Sequence, residues 1–162
     1  MSPSSITLRD AQPGDVADIL ALVRELAVYE KLEHEARGRP EDLHEHLFGA
    51  QPYAHAIVAH DDGALAGFAL YFFNYSTFLC RPGMYLEDLY VRPPFRRRGI
   101  GRVLLRELAR RAEARHCGRL EWSVLDWNQP AIEFYKSLGA RPMDEWTVFR
   151  LTGESLTRLA AG

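Results

Sequence analysis

The chain has 162 residues, 47% hydrophobic and 26% charged, the profile of one compact globular domain that buries a core without staples. These values exclude a disordered tail, a collagen and a coiled coil. The formal net charge of −2 hides an asymmetry: residues 1–80 carry 12 acidic and 5 basic side chains, residues 81–162 carry 10 acidic and 15 basic.

Met1 to Ser5 is short and polar and does not read as a signal peptide. Ile6 and Leu8 alternate with polar neighbours and predict a short first strand. Pro13-Gly14-Asp15 opens a helix whose apolar face holds Val16, Ile19, Leu20, Val23, Leu26 and Ala27 and which ends near Tyr29-Glu30. The charged stretch 33–39 reads as loop, and Pro40 to Phe48 as a shorter helix. His55 to His60 reads as a strand, Asp61-Asp62-Gly63 as a hairpin turn, and Leu65 to Tyr75 as the aromatic-rich partner strand. Arg81-Pro82-Gly83 reads as another turn, followed by a fourth strand over Tyr85 to Val91 that Pro93-Pro94 ends.

Gly99 to His116 is an amphipathic helix with Ile100, Leu104, Leu105, Leu108 and Ala112 on its apolar side, stopped by Gly118. A fifth strand over Leu120 to Leu125 follows, then a helix over Pro130 to Leu138 ended by Gly139. Trp146 to Leu151 predicts a last strand and Gly153 to Leu159 a terminal helix. The fold class is α+β, a single domain over 1–162 with a mixed sheet. Its first strands are antiparallel, and the helix joining the fourth and fifth makes those two parallel.

Cys80 and Cys117 are the only cysteines and have no metal spacing, so a reduced, cytoplasmic protein is expected. The six histidines add no ligand pattern, His44 and His46 read as surface positions, and no metal site is expected. No apolar run approaches the ~20 residues of a membrane span. The slightly negative total charge and the lack of an aromatic RNA motif argue against nucleic acid.

The segment Arg96-Arg97-Arg98-Gly99-Ile100-Gly101-Arg102 lies between a strand and a long helix. A helix's first turn has unpaired N–H groups and the positive end of its dipole. Glycines let an anion approach that backbone, and arginines add forked hydrogen bonds. The segment is therefore built for a phosphate. It matches neither the Walker pattern nor a dinucleotide GxGxxG.

Arg-x-x-Gly-x-Gly after a strand resembles the cofactor motif of the GNAT N-acetyltransferases. Tyr85-Leu86-Glu87-Asp88-Leu89-Tyr90-Val91, Val124-Leu125-Asp126-Trp127-Asn128-Gln129-Pro130-Ala131, Glu25-Leu26-Ala27-Val28-Tyr29-Glu30 and Phe134-Tyr135-Lys136 resemble signature blocks of its diamine (spermidine/spermine) acetyltransferases. Tyr75-Ser76-Thr77 and Leu125 to Gln129 are more similar to the branch associated with thialysine, S-(2-aminoethyl)-cysteine. The resemblance implies the GNAT fold, a homodimer, and transfer of an acetyl group from acetyl-coenzyme A to a small primary amine within a ternary complex. It also implies that Arg96 to Arg102 hold the pyrophosphate. It further implies that Tyr90 and Val91 lie beside the pantetheine arm and that Asn128 and Ala131 form a second cofactor segment.

A primary amine has a pKa near ~10 and arrives protonated, so attack needs a base. Glu87 and Asp88 are adjacent, and alternation along a strand sends them to opposite faces. The resemblance selects Glu87 as base through a water and as partner of the ammonium, and leaves Asp88 structural. It makes Tyr135 the acid for the departing sulfur. It places Tyr29, Glu30 and Glu145 around the amine, while Ser76 and Thr77 suit an amino acid's polar groups. The alternatives are acetylation of a protein or peptide, and a coenzyme A-binding module without catalysis.

Overall fold

The computed structural model describes residues 5–162, so the first four residues of the polar amino-terminal stretch lie outside the described residues. The chain forms two compact units, divided after Ser123. The first contains β1 (Ile6–Asp10), α1 (Val16–Tyr29), α2 (Pro40–Phe48), β2 (His55–Asp61), β3 (Ala64–Ser76), β4 (Arg81–Val91), α3 (Ile100–Ala114) and β5 (Leu120–Trp122). The sheet order is β1-β2-β3-β4-β5, antiparallel up to β4 and parallel between β4 and β5. The expected mixed α+β sheet is the one observed.

Local chemistry accounts for the boundaries. Asp62 and Gly63 have φ of 49° and 80°, the left-handed pair that a two-residue hairpin turn needs. Ile19 and Leu22 of α1 pack with Leu47, Val58, Phe68 and Tyr90 in one core cluster. On α3, the five apolar residues expected from sequence are the five that are buried.

Gly67 of β3 lies opposite Val91, and a Cβ there would stand 2.3 Å from the Tyr90 carbonyl oxygen. The two backbones are this close only because Gly67 has no side chain. Gly67→Ala is expected to cost about 1–3 kcal/mol, read as a lowered denaturation midpoint in urea. A midpoint equal to the parent's contradicts the close approach.

Among the described residues, three ion pairs join the acidic half of the chain to the basic half: Arg92–Glu25 at 2.9 Å, Arg98–Asp61 at 2.7 Å and Arg111–Asp10 at 2.6 Å. The charge asymmetry therefore serves folding in part, beside any ligand role.

Two expected elements of this unit change. Arg81-Pro82-Gly83 is strand, not turn: Pro82 pairs with Tyr75 and its carbonyl accepts from the Gly118 N–H. The missing N–H of proline suits such a position near a strand's start. The reversal lies at 77–80, where the Leu79 N–H donates to Ser76 Oγ and Cys80 takes φ 50°. Cys80, at this reversal, is exposed. β5 is also shorter than the predicted Leu120 to Leu125.

The second unit holds α4 (Gln129–Ser137) and α5 (Gly153–Ala161). Asn128 caps α4, its side-chain oxygen accepting from the Ala131 N–H at 3.4 Å, and Gly139 follows the helix at φ 91°. The predicted strand over Trp146 to Leu151 is not formed among the described residues. A strand needs a neighbour for its backbone groups, and this segment has no ladder.

Candidate active site

In the first unit, β4 outlasts β5. Their ladder holds Met84↔Leu120, Tyr85↔Glu121 and Leu86↔Trp122, while β4 runs on to Val91. Among the described residues, no strand continues along that edge past Leu86. The backbone groups of 87–91 on that side, Tyr90 and Val91 included, suit an extended ligand lying beside them.

Arg96 to Gly99 turn the chain from the end of β4 into α3. Arg97 and Gly99 take φ of 64° and 81°. The first helical bond runs from the Val103 N–H to the Gly99 carbonyl, so the amides of Ile100 and Gly101 have no carbonyl behind them in the helix. A Cβ on Gly101 would meet nothing within 4 Å. Donors at a helix start, with open space over a glycine, fit a phosphate group.

The arginines of this segment differ in their surroundings. Arg96 Nε donates to the Val91 carbonyl at 2.9 Å, and its guanidinium lies 5.1 Å from the Tyr29 ring centre and 5.6 Å from that of Tyr90. Arg98 Nη1 donates to Asp61. Both side chains already have protein partners. Arg97 has no acidic partner among the described residues, and Arg102 is exposed on the first turn of α3.

The corner expected to hold the amine contains a β-bulge. Leu70 pairs with Asp88 and Tyr71 with Leu86, so Glu87 is the extra residue. A bulge breaks alternation and re-aims side chains, which removes the argument that set Glu87 and Asp88 on opposite faces. Glu87 is exposed and Asp88 is half-buried. Burial, then the charges of Glu87 and Glu30, push the Asp88 carboxyl up to about 6. Burial also raises Glu30, which caps the end of α1. Glu30, Glu87 and Asp88 therefore share one electrostatic neighbourhood, which Tyr29 joins through its ring contact with Arg96.

Glu25 braces this corner. It accepts from Arg92 Nε at 3.1 Å, and burial and its charge raise the Tyr90 phenol. Sequence reasoning left Asp88 structural and did not find the bulge or this brace, because neither a bulge nor a contact between α1 and the end of β4 has a local signature.

Ser76 and Thr77 are not brought to this corner. Ser76 pairs with Arg81, six residues before Glu87, or about 20 Å along the strand, and its hydroxyl is used in the turn. In the second unit, Tyr135 is half-buried on α4, its ring 5.7 Å from that of Phe134. Asn128 and Ala131 are bonded to each other at the start of that helix. Glu145 is exposed in the loop beyond it. No metal-holding group of His, Cys, Asp or Glu occurs among the described residues.

Residues 20–140 match the family model described as the acetyltransferase (GNAT) family. The chain is 39% identical to the thialysine N-epsilon-acetyltransferase of Sus scrofa, over 97% of this chain and 98% of that one. It is 33% identical to an L-ornithine N5-acetyltransferase of Arabidopsis thaliana, over 92% and 85%. Among solved structures, a V. cholerae integron cassette protein superposes with a TM-score of 0.82 at 29% identity, covering 99% of this chain and 100% of that one.

Proposed function

The chain belongs to the GNAT acetyltransferase family, and from that premise we propose that it acetylates the terminal amine of a small amino acid of the thialysine kind, with polyamines as poorer substrates. It is an N-acetyltransferase whose acceptor is a small-molecule amine. The observation that carries the finer reading is the cluster of Glu30, Glu87 and Asp88 at the β4 bulge. Three carboxylates attract an ammonium group, and the relatives named for thialysine and ornithine act on amino acids ending in an aminoalkyl arm. The family match crosses the division after Ser123, which supports reading 1–162 as one catalytic domain.

Acetyl-coenzyme A supplies an activated acyl group. In this reading the amides at the start of α3, Arg97 and Arg102 hold its pyrophosphate. The exposed edge of β4 near Tyr90 and Val91 holds its arm and offers N–H groups to the reacting carbonyl. Glu30 and Tyr29 orient the amine. Glu87 takes its proton through a water, with Asp88 beside it. Tyr135 gives a proton to the departing sulfur. The match of the Asn128 and Ala131 segment supports a second cofactor contact, and Glu145 is a further candidate for the amine.

The test is a turnover survey of thialysine, lysine, ornithine, spermidine and putrescine. Thialysine or ornithine is expected to lead in kcat/KM by at least about tenfold, the worth of one well-placed hydrogen-bonded contact. Spermidine in the lead overturns the amino-acid reading. Turnover confined to peptides overturns the small-molecule reading.

A homodimer and cytoplasmic residence belong to the same reading. Trp146, Val148 and Phe149 are 73%, 85% and 91% exposed, apolar surface that a second copy would cover. Sedimentation at micromolar concentration tests it, and a monomer overturns it. No helix among the described residues is long and apolar enough to cross a membrane.

A further inference from the structure

The turn from Arg96 to Gly99 is held from outside by an acid that the reaction itself does not use. Asp61 ends β2 and is only 4% exposed. One of its carboxylate oxygens accepts from the Ser5 hydroxyl and the other from Arg98 Nη1 at 2.7 Å. The Ser5 and Arg98 hydrogen bonds hold the carboxyl below its ordinary range, so it carries its charge at neutral pH. Arg98 stands between two residues of positive φ, Arg97 and Gly99. Arg97 has a side chain that disfavours such a conformation, so the turn depends on surrounding contacts to stay in place.

Arg96 fixes one side of the turn to the Val91 carbonyl, and Arg98 fixes the other to the end of β2. Directly after Arg98 come Gly99 and the amides of Ile100 and Gly101. We propose that Asp61 is a positioning residue for the coenzyme A site: through Arg98 it moors the turn, so that the amides at the start of α3 are aimed before the anion arrives. Arg98 acts through this bond and not as a phosphate contact. The inference rests on the coenzyme A reading of the turn, and it assigns Asp61 a role that no sequence motif marks.

The experiment compares the full chain with Asp61→Asn, Arg98→Ala, Arg98→Lys and the double variant Asp61→Asn/Arg98→Ala. Two readouts are taken: calorimetric affinity for coenzyme A, and hydrogen exchange of the amides of residues 97–102 in the ligand-free protein. Each of Asp61→Asn and Arg98→Ala is expected to weaken binding about tenfold and to speed exchange in the turn. The double variant should be no worse than the weaker single, because both remove one interaction. Arg98→Lys should recover part of the loss, and in steady-state assays the loss should fall on KM for acetyl-coenzyme A rather than on kcat.

Parent-like binding and exchange in Asp61→Asn overturn the proposal. So does a loss confined to Arg98→Ala, which would make Arg98 a direct phosphate contact, and so do additive losses in the double variant. Should Asp61→Asn not fold, Arg98→Ala and Arg98→Lys decide the matter by exchange, because that side chain is 57% exposed. If the parent chain binds no coenzyme A, the functional reading fails, while the exchange data still judge the mooring.

Discussion

Tyr135→Phe is expected to lower kcat about 100-fold or more while leaving affinity for coenzyme A within about twofold, the range for loss of a positioned general acid. Collapse of the tetrahedral intermediate expels a thiolate. An alkyl thiol has a pKa of about 8.5 and a phenol of about 10, so a tyrosine hydroxyl hydrogen-bonds to the developing thiolate, and passing it the proton is uphill by only about 2 kcal/mol. Phenylalanine keeps the ring that packs beside Phe134 and removes only the hydroxyl. A kcat within threefold of the parent's would assign the proton to water and leave Tyr135 as a packed aromatic.

How much of this was legible in the sequence depends on the range of the interaction. The hairpin at Asp62-Gly63, the apolar stripe of α3 and the glycines at its start are local patterns, and the structure repeats them. The turn assigned to Arg81-Pro82-Gly83 misled because proline and glycine were read as chain reversal. Here Pro82 sits near the start of a strand, and Gly83 makes room for Asn74, whose side-chain oxygen would lie 2.3 Å from a Cβ. Trp146 to Leu151 has the residue types of a strand, but a ladder requires a neighbour that local sequence does not specify.

The site divides in the same way. Glycines and arginines announced a phosphate turn, yet which arginine faces the ligand depends on distant acids. Arg98 is committed to Asp61, 37 residues away in sequence. Arg92 is committed to Glu25, 67 residues away. The charge asymmetry between the two halves is a signal of composition alone. In the folded chain, part of it is spent on bonds between the two halves.

The second large effect separates the acids at the bulge. Asp88→Asn is expected to stabilise the protein while impairing it. The carboxyl of Asp88 lies at about 6 in the folded protein against an ordinary 3.8, so the folded state holds this proton more tightly than the unfolded state. Stability therefore falls as pH rises from about 4 to about 6, and above that window the charged carboxylate carries its full cost. Two pKa units correspond to about 3 kcal/mol, and relaxation around a half-buried group brings the expected gain to about 1–3 kcal/mol at pH 7.5. Asparagine avoids that cost. The gain in melting temperature over the parent should shrink through the same window and vanish below pH 4, where both side chains are neutral. An equal gain at every pH would trace the effect to packing instead of charge.

Activity should move the other way, with kcat/KM down about tenfold, because one of the three carboxylates proposed to attract the ammonium is gone. Glu87→Gln makes the contrast. It removes the proposed proton acceptor, so kcat should fall about 100-fold. It also removes a charge that raises Asp88, so the acid limb of any residual activity should move below pH 6. If Asp88 alone were the base, Glu87→Gln would leave kcat near the parent's and only displace the limb, and Asp88→Asn would abolish turnover. The two variants measured side by side therefore identify which carboxylate takes the proton, a choice that rested on resemblance and on an alternation along β4 that the bulge breaks.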